Sequence, residues 1–187
     1  MQRPAAAILV SALVLLSAHP ARAQVSAAED ADLGVPASAE LRLGDHASAT
    51  PVTIPGARLV TTPELKAALG RAPAERPILL DVLGGAGHES LPGAIWLPDA
   101  GRGAGFEDEL QARLARTLAV LTNGDAARPI VFFCASVNCW LSYNAALRAA
   151  RLGYTSVGWY RGGIQAWMAA GGTLAPMKVS WRRPEVN

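Results

Sequence analysis

Ile130-Val131-Phe132-Phe133 follows Pro129 and runs straight into Cys134. Four apolar side chains in succession, β-branched and aromatic, leave no face for water. Such a strand must be covered on both sides, the pattern of a parallel strand between two layers of helices. The pattern recurs in Pro77-Ile78-Leu79-Leu80-Asp81-Val82 and, more briefly, in Ala94-Ile95-Trp96-Leu97 and Val157-Gly158-Trp159-Tyr160. Segments of helical period lie between these runs. Thr62-Pro63-Glu64 supplies an N-cap, a proline at the first helical position and a first-turn acid, for a helix that stops at Gly70. Phe106, Leu110, Leu114, Leu118 and Leu121 mark an amphipathic helix closed by Asn123-Gly124. Leu141, Ala145, Ala149 and Leu152 mark another, closed by Gly153, and a short one with Ile164 and Trp167 follows Gly162-Gly163. Strands alternating with helices predict an α/β fold: a single domain with a mainly parallel central sheet flanked by helices.

The flanks differ from this core. Arg3, the apolar stretch from Ile8 to Leu16 and Ala21-Arg22-Ala23 have the layout of a signal peptide over residues 1–23, with cleavage after Ala23. The apolar stretch is too short to span a bilayer and His19-Pro20 interrupts its end. Export to a bacterial periplasm is therefore expected, with no membrane attachment after cleavage. The segment holds two arginines and no acids, so the seventeen basic residues become fifteen, equal to the fifteen acidic ones. Balanced charge, with no basic run interleaved with aromatics, offers no nucleic-acid surface. Residues 24–50 are rich in Ala, Ser, Asp and Glu without apolar periodicity and read as a flexible leader. The domain is expected over residues 51–175. A solvated tail containing Trp181-Arg182-Arg183 is expected over 176–187.

Both cysteines of the chain fall at one junction. Cys134 ends a strand, Ala135-Ser136-Val137-Asn138 turns, and a helix begins near Cys139-Trp140. Ligands in parallel sheets bind at the carboxyl ends of strands. Backbone N–H groups at a helix start have no partner inside the helix, and their partial positive charge favours thiolate over thiol. Cys134 is accordingly the candidate nucleophile, held by loop amides, and an inert buried thiol is the plain alternative. Cys139 has three readings: a resolving thiol, one half of a static disulfide, or a packed residue at the helix start. Asp81 is read as an anchor for loops at the sheet edge rather than an acid–base catalyst, and His88 as a hydrogen-bonding turn residue. Trp140 either packs against the sheet or walls the thiol pocket. Arg161 is either the nearby cation of the site or a surface ion-pair partner. Gly162 and Gly163 serve turn geometry, since no phosphate-binding fingerprint surrounds them.

Several chemistries are excluded by spacing. A c-type haem needs a histidine directly after its second cysteine, and Trp140 stands there. Thioredoxin-like dithiols use a shorter spacer, and a cysteine phosphatase needs an arginine where Trp140 lies. A zinc site would have to recruit His46 and His88, which lack motif spacing. No cofactor and no metal are called for.

An ordered set of motifs then carries a resemblance. Thr62-Pro63-Glu64-Leu65, Leu79-Leu80-Asp81-Val82, Leu91-Pro92-Gly93-Ala94-Ile95, the strand–Cys134–loop–helix unit, Gly153-Tyr154 and Arg161-Gly162-Gly163-Ile164-Gln165-Ala166-Trp167 together resemble a rhodanese domain over about Leu59 to Thr173. The resemblance implies one α/β domain whose loop cradles a cysteine able to carry a persulfide, with a sulfur donor and a thiol acceptor, or a periplasmic redox partner, as its partners. Cys134…Cys139-Trp140 followed by Ser142-Tyr143-Asn144-Ala145-Ala146, with Thr53-Ile54-Pro55-Gly56-Ala57 upstream, is similar to a narrower group. These are exported proteins named for a Cys-x-x-Cys-Trp motif and associated with pyrroloquinoline quinone (PQQ)-dependent alcohol catabolism. The spacer here is four residues, longer than that name states. The loop carries no Lys or Arg, and Leu83 stands where many rhodaneses have arginine. Sulfurtransferase-type chemistry is one expectation; a non-catalytic redox or partner-binding accessory is the other.

Overall fold

The computed structural model of the chain describes residues 29–179. The expected signal peptide and the Trp181-Arg182-Arg183 patch lie outside the described residues. The elements run β1 (Arg58–Val60), α1 (Thr62–Leu69), β2 (Ile78–Asp81), β3 (Glu89–Ser90), β4 (Ile95–Trp96), α2 (Glu109–Leu121), β5 (Ile130–Phe133), α3 (Trp140–Arg151), β6 (Val157–Tyr160), α4 (Gly163–Ala169), β7 (Ala175–Pro176) and β8 (Lys178–Val179). Six strands form one sheet in the order β1-β6-β5-β2-β4-β8, and every neighbouring pair in it is parallel. β3 and β7 make a small antiparallel ribbon beside it.

The apolar run at 130–133 lies between β2 and β6, with all four residues buried. Ile130 and Phe132 face one layer, with Leu114 and Leu118 of α2 and Leu141, Tyr143 and Ala145 of α3. Val131 and Phe133 face the other, with Leu65 of α1 and Ile164 and Trp167 of α4. Each fully buried side chain of this size contributes roughly 1.5–3 kcal/mol of transfer free energy. The carboxyl ends of β2, β5 and β6 then deliver Asp81, Cys134 and Arg161 to one edge of the sheet.

Four expectations are corrected. The N-cap of α1 is Thr61, one residue earlier than expected, because Glu64 closes a capping box on the Thr61 N–H at 2.7 Å. The helix expected from Phe106 begins at Glu109, because the Asp108 side chain accepts the Gln111 N–H at 2.8 Å and terminates it. Residues 29–50, expected as a flexible leader, form a strap without helix or strand that is held against the domain. Tyr143 Oη donates to Ser38 O at 2.9 Å, and Asn144 pairs with both backbone groups of Arg42. The strap also covers α3, whose first ten residues, Trp140 to Ala149, are all buried. In the expected tail, Pro176 joins β7 and Lys178–Val179 pairs with β4. Two-residue pairings of this kind rest on backbone hydrogen bonds and leave no periodic trace in side chains.

Candidate functional site

β5 ends at Phe133, and the loop from Cys134 to Asn138 is fixed through its carbonyl groups. Ile164 N donates to Cys134 O at 3.0 Å and Gln165 N to Ala135 O at 2.9 Å. Thr50 donates to Val137 O twice, from its amide at 3.1 Å and its hydroxyl at 2.6 Å. Gly163 adopts φ +59°, and a Cβ there would collide with the Cys134 carbonyl, so the close approach of α4 to the loop requires glycine. Across this loop Cys134 and Cys139 are joined in a disulfide, their Cα atoms 6.4 Å apart. The bond is common to two of the three readings of Cys139, the resolving thiol and the static disulfide, and sets aside an unpaired packed residue.

The surroundings of the sulfur differ from those expected. Cys134 is 1% exposed and belongs to the hydrophobic core. Its Sγ lies 3.1 Å from Ser142 Oγ and 3.4 Å from the carbonyl oxygen of Cys139. The amides near the helix start point elsewhere. Asn138 N donates to Ser136 Oγ, Cys139 N to Ser136 O, and Trp140 N to His46 O of the strap. In this oxidised state the polar neighbours of Cys134 Sγ are thus a hydroxyl and a carbonyl, not the converging N–H groups expected from the helix start. Trp159 Nε1 donates to Ser142 Oγ at 3.0 Å from β6, and both residues are buried.

Cys139 faces a cleft of about 580 Å³ that also meets His46, Leu83, Arg102, Asn138 and Leu141. A larger groove of about 1010 Å³ beside Pro98, Arg113 and Arg116 shares Arg102 with it but touches neither cysteine. The cleft is therefore the candidate site, because it reaches one residue of the cysteine pair. Its arginine, Arg102, sits 2.7 Å from Asp99 Oδ1 and stays largely exposed.

The other expected residues fall as follows. Asp81 is fully buried and its carboxylate accepts from Leu83 N, His88 Nε2 and Ser90 Oγ, which joins the end of β2 to the loops that follow. His88 also stacks edge-on against Trp96. Trp140 is buried in the core layer that includes Phe132 and Trp159 and is covered by the strap, its Nε1 donating to Ala49 O at 3.0 Å and the Arg42 guanidinium lying over its ring. Arg161 is buried rather than at the surface, and its guanidinium is turned to the strap. It is 1% exposed and donates to Thr50 Oγ1, Thr50 O, Glu29 O and Ala31 O. Glu29 is buried beside it, accepting from Thr62 N and Thr62 Oγ1; burial raises its pKa above the usual carboxylate value, against the pull of those bonds. Ser142 and Trp159 were not singled out by sequence reasoning. The available signal was the three-residue step from Cys139 to Ser142, which places both on one helix face.

Comparison with known proteins bears on this arrangement. Residues 61–170 match the family model described as rhodanese-like domain. No curated protein sequence matches the chain. Among solved structures it is similar to a thiosulfate sulfurtransferase from Pseudomonas aeruginosa, at 21% identity over 66% of this chain and 21% of that one, with a TM-score of 0.48. It is also similar to a rhodanese-like domain from Anabaena sp., at 22% identity over 62% of this chain and 77% of that one, with a TM-score of 0.41. A polysulfide-sulfur transferase homodimer from Wolinella succinogenes aligns at 16% identity over 64% of this chain and 79% of that one, with a TM-score of 0.44. The chain spans only 21% of the first of these proteins. All three are likenesses of fold.

Proposed function

This chain belongs to the rhodanese-like domain family, and from that premise we propose that it is an exported sulfur-transfer module whose reacting unit is the Cys134–Cys139 pair. In the reduced protein Cys134 takes a sulfane sulfur from a donor and becomes a persulfide. The Cys139 thiolate then attacks the inner sulfur of that persulfide, forms the Cys134–Cys139 disulfide and expels hydrosulfide. Two thiols of a reductant return the pair to its starting state. The observation that carries this reading is the disulfide itself, which closes the very loop that would hold the persulfide. A disulfide of this kind is also at home in an oxidising compartment. The resemblance of Cys134…Cys139-Trp140 and its flanking motifs supports a place in the periplasm, beside PQQ-dependent alcohol oxidation.

A second reading is favoured by one observation. Arg161 is committed to the strap, so it brings no charge to a loop that has none of its own. On that reading the domain is a redox-responsive accessory that binds a partner without turning over a sulfur donor. Intact-mass measurement separates the two. Protein recovered from the periplasmic fraction, lacking residues 1–23, is reduced, desalted and treated with polysulfide as wild type, Cys134→Ser and Cys139→Ser. We expect Cys139→Ser to gain one sulfur, wild type to return to the disulfide mass with sulfide released, and Cys134→Ser to do neither. A Cys139→Ser protein that gains no sulfur discards the transfer reading in favour of the accessory, and a protein absent from that fraction discards export.

A further inference from the structure

The two sulfurs of the pair are not equivalent. In this oxidised state both cysteines are buried, Cys134 at 1% and Cys139 at 7% exposure, but Cys139 lines the cleft and Cys134 does not. An incoming nucleophile therefore meets Cys139 first, and the electron pair of the broken bond must be left on Cys134. That sulfur would become an anion in a buried, largely apolar place, where an unpaired charge is very costly. Among the described residues, the side-chain hydroxyl that meets it is that of Ser142, at 3.1 Å. Trp159 Nε1, a donor and never an acceptor, occupies a lone pair of Ser142 Oγ. The Ser142 proton is thereby turned towards Cys134 Sγ or the Cys139 carbonyl, the sulfur being the nearer at 3.1 against 3.3 Å.

We propose that an incoming thiolate opens the disulfide by attacking Cys139, and that the charge left on Cys134 is taken up by the Ser142 hydroxyl, held as a donor by Trp159. The step balances: a new bond forms between the incoming sulfur and Cys139 Sγ, the Cys134–Cys139 bond breaks, and its electron pair remains on Cys134. A second thiolate then attacks the incoming sulfur in the mixed disulfide, releasing Cys139 as thiolate and a disulfide of the two reductant thiols. Ser142 touches the reacting sulfur; Trp159 acts through it as a positioning residue. The inference rests on the proposed cycling of the pair, but it concerns how the bond opens and not whether sulfur is transferred.

The test uses two measurements. In the Cys139→Ser protein, Cys134 is the sole thiol, and its rate of alkylation by iodoacetamide is followed against pH. Adding Ser142→Ala should raise the midpoint of that profile by about one unit, the scale of a charge-assisted hydrogen bond. Ser142→Thr should restore it, and Trp159→Phe should raise it by less than Ser142→Ala. Unchanged far-ultraviolet dichroism and melting establish that the variants fold, and where Trp159→Phe does not fold the Ser142 pair decides. A midpoint unmoved by Ser142→Ala overturns the assignment of the hydroxyl. Separately, the oxidised wild-type protein is mixed with glutathione, acid-quenched and mapped by mass spectrometry. The first adduct is expected on Cys139; an adduct on Cys134, or none on Cys139, overturns the order of attack. Either failure leaves the polysulfide experiment untouched, so the two ideas fall independently.

Discussion

At the scale of single residues, Asp108 shows how the segment that carries Arg102 to the cleft is held. Its carboxylate accepts from Gln111 N and Ala104 N at 2.8 Å and from both terminal nitrogens of Arg148 at 2.9 and 3.0 Å. Arg148 is fully buried and also donates to Arg102 O and Gly105 O. The pair thus fixes residues 102–108 and, with them, the backbone that carries Arg102 to the cleft. Burial opposes ionisation of Asp108, but the Arg148 hydrogen bonds and the two amides outweigh it and hold the pKa at about 2, against 3.8 ordinarily. A depressed carboxylate pKa adds stability that is complete above the unfolded value and is lost as pH falls through the folded one. The size is on the order of 1–2 kcal/mol for a part-buried group, after solvent screening. Asp108→Asn should therefore unfold at lower urea at pH 7, by about that free energy, with the gap to wild type narrowing between pH 4 and pH 2. A gap that stays constant down to pH 2 would show that the substitution acts through packing and not through charge.

The strap is the element with most influence on the site. It caps α3 with the His46 carbonyl, binds the loop through Thr50 and is locked by Arg161. Thr50→Val keeps the amide bond to Val137 O but deletes the hydroxyl bond and one acceptor of Arg161, leaving a buried donor short. We expect a loss of about 1–3 kcal/mol. The amides of Thr50 and Trp140 should exchange faster with solvent, while those of β2 and β5 keep their protection. Amides at 46–50 that already exchange at random-coil rates in wild type would mean the strap is not docked in solution. Little in residues 24–50 announces this docking, because several of its anchors are main-chain carbonyls accepting from Arg161, Tyr143 and Asn144 more than a hundred positions away. The strands of the core are legible for the opposite reason: their burial is written in consecutive apolar side chains. At the site, the cysteine pair and its loop are visible in the sequence, as is Asp81 as an anchor. Trp159 is hidden, since an indole in an apolar strand looks like core until its N–H is seen to reach Ser142.

Across the whole molecule, the disulfide joins residues only five apart, inside a loop already held by α4 and the strap. Chain-entropy arguments give a bridge over so short a loop about 2 kcal/mol, small beside the burial of two apolar layers on the sheet. The bond is thus poorly placed to act as a staple for the fold, and its position at the cleft fits a bond that opens and closes. Reduction should leave the protein folded and lower its melting temperature by about 4–8 °C, since a domain near 150 residues loses roughly 2–4 °C per kcal/mol. Calorimetry of oxidised and reduced protein, with Cys134→Ser/Cys139→Ser as the state that cannot re-oxidise, checks this directly. The reduced wild type and the double variant should melt within a degree or two of each other, on the order of the error in such scans. Unfolding on reduction would instead assign the pair a structural task, because a bond on which the fold depends cannot be broken once per cycle of sulfur transfer.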